Sequence, residues 1–197
     1  AAVQTRRGAS GPGGMNPRAP LQALLDREAI RECLYRYCRG IDRVDEEALR
    51  SAYWEDATDC HGAWNGSADG FIAQALQRLR QGGRRVHQVN NIAIELHGDV
   101  AAVESGFFAL QAPADAPAKR TLLCGRYLDR FERRQGEWRI AARTVVYDWI
   151  EERERPELTR SDAVLFSARQ PAGCAAPNDM LYALLRDVRA ADNEAKP

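Results

Sequence analysis

The hydrophobic period of this chain passes from helical to extended without strand–helix–strand alternation. Leu21, Leu24, Leu25, Ile30, Leu34, Tyr37 and Ile41 recur at three- and four-residue steps, as one face of a helix requires. Gly40 supplies a stop signal for this helix. Asp45 opens DEEALRSAYW, a cap followed by acidic first-turn residues, which predicts a second short helix with Leu49, Ala52 and Tyr53 inward. A third helix is predicted over Asp69 to Arg80, with Phe71, Ile72, Ala75, Leu76 and Leu79 inward. From Val86 the period shortens to two: Ile92, Ile94 and Leu96 alternate with polar or small residues, and His97-Gly98-Asp99 turns the chain into Val100 to Leu110. Gln135-Gly136 marks a second hairpin between Thr121 to Arg133 and Trp138 to Ile150, after the proline-broken PADAPAK loop. Three helices followed by about four strands predict an α+β fold, with the helices packed on one curved, meander-like antiparallel sheet that forms a cup.

The flanks read differently. Residues 1 to 18 are rich in Gly, Arg, Ser and Pro and lack an apolar period, so they read as a flexible arm or appended segment, with Met15 a candidate start. The domain is expected over 19 to 155. Residues 156 to 197 form an extension: a polar stretch, a Pro/Gly-rich loop from Pro171 to Pro177, and a final amphipathic helix carrying Met180, Leu181, Leu184, Leu185 and Val188. That helix is expected to cap the cup or to meet a neighbouring subunit.

Composition narrows the function. The 28 basic and 28 acidic side chains cancel, which removes the whole-molecule attraction to nucleic acid or anionic membrane. No apolar run approaches the ~20 residues of a membrane span, and no secretory apolar core is present, so a cytoplasmic protein is expected. Five cysteines without a C-x-x-C pair, and three histidines without metal-ligand spacing, argue against a disulfide framework and a metal centre. No nucleotide motif occurs, so no cofactor is expected.

The segments YRYCRGIDRVDEEAL, VHQVNNIAIELHGDVAAVES and GRYLDRFERRQGEWRIAARTVVYDW carry a resemblance to the SnoaL-like subgroup of the NTF2-like superfamily, over roughly residues 20 to 152. The resemblance implies a conical α+β barrel. Its enzymes include scytalone dehydratase, hexachlorocyclohexane dehydrochlorinase and bile acid 7α-dehydratase. It further implies that Asp42 and His87 occupy the positions of the catalytic pair, that Arg143 matches a pocket arginine, and that Tyr37 matches a pocket tyrosine of the bile acid enzyme. The dehydrochlorinase carries a lysine at that last position, a departure that argues against dehalogenation.

A carboxylate bonded to one imidazole nitrogen fixes the tautomer and makes the other nitrogen the better base. That is the role expected of Asp42 behind His87; the alternative is a turn-capping Asp42 and a strand-end histidine. Tyr37 is either a substrate contact or a core side chain. Arg143 shares strand parity with Val145 and Tyr147, and stands either against substrate or in an ion pair with Asp129 or Asp148. Tyr53, Trp54, Phe108, Cys124, Tyr147 and Trp149 are expected to line the pocket, while core packing remains open for Cys124, Phe108 and Trp149. His61, between Cys60 and Gly62, could reach the pocket, but its turn-forming neighbours favour a surface or loop role, and it stands as a secondary candidate. The expectation is a cofactor-independent lyase eliminating water from a small hydrophobic, ring-bearing alcohol, in a dimer or trimer. C–C cleavage with loss of a small aldehyde, isomerisation or aldol cyclisation, and a non-catalytic ligand-binding or docking module are the alternatives.

Overall fold

The computed structural model describes residues 20–114, 118–154 and 171–194. Helix α1 (Pro20–Arg43) and the short α2 (Glu46–Arg50) precede a hairpin of β1 (Tyr53–His61) and β2 (Trp64–Ser67). Then come α3 (Ala68–Leu79), β3 (Arg84–His97), β4 (Val100–Ala112), β5 (Lys119–Arg134), β6 (Glu137–Glu154) and a terminal helix, here α4 (Met180–Glu194). The α+β class is as expected. The six strands form one curved, unclosed sheet in the order β2-β1-β6-β5-β4-β3.

The wholly antiparallel expectation is corrected. β3 to β6 form the antiparallel meander, but β1 lies parallel to β6, with Asp59 beside Arg143 and Cys60 beside Thr144, so the sheet is mixed. Tyr53, expected at the inner face of the second helix, instead opens β1. Acidic residues hide this strand in the sequence: Glu55 and Asp56 are exposed, and the buried positions include Asp59 as well as Tyr53 and Ala57, so no clean apolar alternation results.

Elsewhere the local chemistry acts as expected. The Asp45 side chain accepts from the Ala48 N–H at 3.0 Å and caps α2. Gly98 and the Gln135-Gly136 pair take positive φ in the two tight turns. On α1, Ile30, Cys33, Leu34, Tyr37, Cys38 and Ile41 are buried, the three- and four-residue pattern of one face. Leu21, Leu24 and Leu25, assigned to that face, are instead more than half exposed, because the described elements leave the first turns of α1 uncovered. Gly40 does not stop the helix, which runs on to Arg43 before Val44 adopts a left-handed φ of 54°. A Cβ at Gly40 would lie 2.7 Å from Leu49 Cα, so this glycine permits α1 and α2 to touch.

The core thiols are buried as neutral groups. Burial pushes Cys33 up to about 11 and Cys38 up to about 12, from an ordinary 9.0. A raised folded value gives stability that is complete below the unfolded value and is lost as pH climbs through the folded one. The denaturant midpoint is therefore expected to fall between about pH 9 and about pH 12, and urea titrations across that interval check it. Cys38→Ala should flatten the decline.

Candidate active site

One end of the sheet encloses an open cavity of about 950 Å³ between its concave face, α1 and α3. Strand pleating sets which side chains enter it. The cross-strand row His87–Ala109–Leu123–Ile150 faces inward, and the next row brings Arg85 and Gln111. Tyr37 and Ile41 contribute one wall from α1; Phe71, Ala75 and Leu79 contribute another from α3.

His87 is clamped at two points by the last turn of α1. Its Nδ1 lies 2.6 Å from Asp42 Oδ1, and its backbone N–H donates to Asp42 Oδ2 at 2.9 Å. A carboxylate can only accept, so the ring proton belongs on Nδ1, and Nε2 is left as the acceptor. Both side chains are nearly withdrawn from solvent, with exposures of 8% and 12%. Partners 45 residues apart thus meet at the cavity wall.

Arg143 resolves to the ion-pair alternative. It is fully buried, makes two 2.7 Å bonds to Asp129, and lies between the rings of Tyr37 and Tyr127 at 4.1 Å from each centroid. It does not line the cavity. Burial opposes its charge, and the carboxylate of Asp129 overcomes that cost and holds the guanidinium protonated. Asp148 pairs instead with Arg126 on the outer face. Arg143 therefore backs Tyr37, whose phenol burial pushes well above its ordinary range, against the pull of the Arg143 charge.

Among the expected pocket residues, Tyr147 lines the cavity. Tyr53 lies in the core and donates its hydroxyl to Asp59 Oδ2 at 2.7 Å. Trp54 is held elsewhere: its indole N–H donates to the Glu132 carbonyl at 3.0 Å, and Arg134 and Arg139 sit over its ring. Phe108, Cys124 and Trp149 form a single cross-strand row on the face opposite the cavity, with Phe108 and Trp149 exposed. Their assignment to the pocket is corrected by one residue of pleat; Leu123 and Ile150 are the inward neighbours. For Trp149 the cause is a bulge at Gly125, where an added Cβ would lie 2.0 Å from the Val146 carbonyl. The bulge inserts Asp148 between Tyr147 and Trp149 and reverses their parity.

A family model described as the SnoaL-like domain matches residues 22–144. The chain belongs to the SnoaL-like family. No curated protein matches it in sequence. Among solved structures it is similar to a type 2 hexachlorocyclohexane dehydrochlorinase, at 19% identity and a TM-score of 0.64, covering 72% of this chain and 97% of that one. It is also similar to a candidate scytalone dehydratase from Novosphingobium aromaticivorans, at 17% identity and 0.62, covering 81% and 99%. A third is a Mycobacterium tuberculosis protein of unknown function, at 26% identity and 0.57, covering 66% and 76%. These likenesses show the fold.

The SnoaL-like cup of this chain holds one polar residue that sequence reading ranked too low. His61 ends β1 rather than sitting in a turn, and lines the cavity with its ring stacked on Phe71 at 4.5 Å. Gly62, at φ 63°, turns the chain immediately after it. The signal was available as the alternate positions 57, 59 and 61 of a strand, once DATDCH was read as extended. Among the described residues, no three His, Cys, Asp or Glu side chains converge as a metal site.

Proposed function

We propose that this protein is a cofactor-independent lyase in which His87, oriented by Asp42, removes a carbon-bound proton from a small, hydrophobic, ring-bearing alcohol and water departs. The observation that carries the reading is the 2.6 Å His87–Asp42 contact at the wall of a largely apolar cavity. Only one imidazole nitrogen is committed to the carboxylate, and the other remains for proton transfer. A positioned base of this kind contributes about 10²–10⁴-fold to rate. Tyr37 supplies a neutral phenol to the cavity wall, suited to steadying a developing oxyanion. The similarity to structures described as a dehydrochlorinase and a scytalone dehydratase agrees with elimination chemistry on this fold.

We further propose that residues 19 to 155 form the catalytic domain, that the protein works as a cytoplasmic dimer or trimer, and that the segment after Pro156 serves as an extension near the cup. Residues 155–170 lie outside the described residues. Beyond them, Tyr182 donates its hydroxyl to Asp45 at 2.7 Å and Arg43 faces Asp179, so α4 docks at the end of α1 that carries Asp42.

Mass spectrometry on a panel of ring-bearing β-hydroxy carbonyl compounds tests the reaction class. Loss of about 18 mass units, absent in His87→Ala, is expected for dehydration. Unchanged mass with altered retention would make it an isomerase or cyclase, and loss of about 30 a formaldehyde-releasing lyase.

A further inference from the structure

The cavity wall opposite β3 carries a second imidazole–carboxylate arrangement. In the sheet order, β1 is separated from β3 by β6, β5 and β4, and the curvature of the sheet brings His61 and His87 to one cavity. His61 is fixed by its stack on Phe71 and by an edge contact to Tyr147 with centroids 6.3 Å apart. Its Nδ1 is buried without a hydrogen bond and faces Asp59 Oδ1 at 3.5 Å. Asp59 Oδ1 is likewise buried and unbonded, while Oδ2 accepts the Tyr53 hydroxyl at 2.7 Å.

A fully buried carboxylate with one oxygen unbonded is costly unless a charge or donor stands beside it. Arg143 has committed two of its guanidinium nitrogens to Asp129, and His61 is the side chain in ion-pair contact with Asp59. A small closure of the 3.5 Å gap completes the pair. With Nδ1 turned to the core, Nε2 is the nitrogen left for the cavity, and the His61 side chain keeps 23% exposure.

We propose that His61, oriented by Asp59 and through it by Tyr53, is a second acid–base group of this cavity and protonates the departing oxygen of a hydroxyl-bearing substrate. The inference rests on His87 as the base of the same reaction. In the step, the C–H pair forms the new carbon–carbon double bond as its proton passes to His87 Nε2. The C–O bond breaks with its electron pair leaving on oxygen, and His61, entering the step as the imidazolium with Nδ1–H toward Asp59, donates its Nε2 proton to turn hydroxide into water and ends as the neutral ring. The two imidazoles end with exchanged protonation and reset through solvent, with no oxidant or metal required. A halide or carboxylate leaving group needs no such proton, so the arrangement selects alcohols, and β-hydroxy carbonyl compounds among them, whose neighbouring C–H is acidic.

The test compares two probes sharing one acidic carbon and one product, 4-hydroxy-4-phenylbutan-2-one and its acetate ester, by ultraviolet absorbance of the conjugated enone. His61→Gln is expected to slow the alcohol by about 10²-fold and the acetate by less than about threefold, because a general acid matters most for the poorer leaving group. His87→Ala is expected to slow both. Equal slowing of both probes by His61→Gln, or of neither, overturns the role of His61. Loss of neither reaction in His87→Ala overturns the base assignment instead, so the two failures are distinguishable. Nitrogen-15 spectra of the three histidines give a reading that needs neither turnover nor a variant: His61 is expected with a proton on Nδ1, held by Asp59, and a second on Nε2 facing the cavity, a pattern distinct from that of the exposed His97. A His61 ring indistinguishable from that of His97 overturns the proposal. Asp59→Asn should return His61 to the ordinary Nε2–H form.

Discussion

Arg143→Ala should lower the unfolding free energy by about 3–5 kcal/mol, the usual cost of stranding one member of a buried ion pair. Both side chains of the pair are inaccessible to solvent, and the two 2.7 Å bonds to Asp129 leave that carboxylate no substitute partner when the guanidinium is removed. The loss also empties the space between the Tyr37 and Tyr127 rings, adding a cavity term to the electrostatic one. Replacing both partners by apolar residues, as in Arg143→Met with Asp129→Leu, should recover most of the stability, since no unpaired charge remains. Urea denaturation followed by far-ultraviolet circular dichroism reads both effects. A single-variant loss below about 1 kcal/mol would mean that Asp129 is solvated or re-paired in the variant.

The largest effect on activity is expected from Asp42→Asn. The amide oxygen of asparagine can still accept the backbone N–H of His87, so the local structure should survive with a change of about 1 kcal/mol or less. What is lost is an acceptor-only partner for Nδ1 and the negative charge beside the ring, so the imidazole is free to carry its proton on the nitrogen that faces the cavity. Turnover should fall by about 10²–10⁴-fold with little change in KM, because orientation of a base acts on the chemical step. Enone formation from 4-hydroxy-4-phenylbutan-2-one measures it. A fall of less than about tenfold would remove Asp42 from the mechanism.

Much of the helical half of the fold was legible where the responsible interactions are local: α1 shows its buried face from Ile30 onward in its spacing, Asp45 caps α2, and Gln135-Gly136 turns β5 into β6, whereas the end of α1 is set beyond Gly40 by its packing on α2. The β1–β2 hairpin was not, because β1 buries Asp59 and is held by a parallel pairing to a strand some eighty residues away. The pocket lining was legible only up to parity. Tyr147 lines the cavity, but the bulge at Gly125 turns Trp149 out and Ile150 in, and a bulge depends on backbone contacts that side-chain alternation does not encode. Phe108 and Cys124 sat in continuous apolar runs where neither face is marked by polar residues. The proximity of His87 and Asp42 came from family resemblance; spacing in the chain could not have supplied it, since curvature of the sheet over α1 creates it. His61 was passed over for its neighbours, Cys60 and Gly62, which resemble a turn until the strand before them is recognised.

The central claim is that His87 removes a carbon-bound proton inside this cup, and proton exchange tests it without reference to the leaving group. In deuterium oxide, the wild-type protein is expected to wash deuterium into the carbon next to the carbonyl of 4-phenylbutan-2-one, seen as loss of that proton resonance, and His87→Ala should slow this by about 10²-fold or more. Exchange that is equally fast in His87→Ala, or absent in the wild type above the buffer rate, would contradict the account.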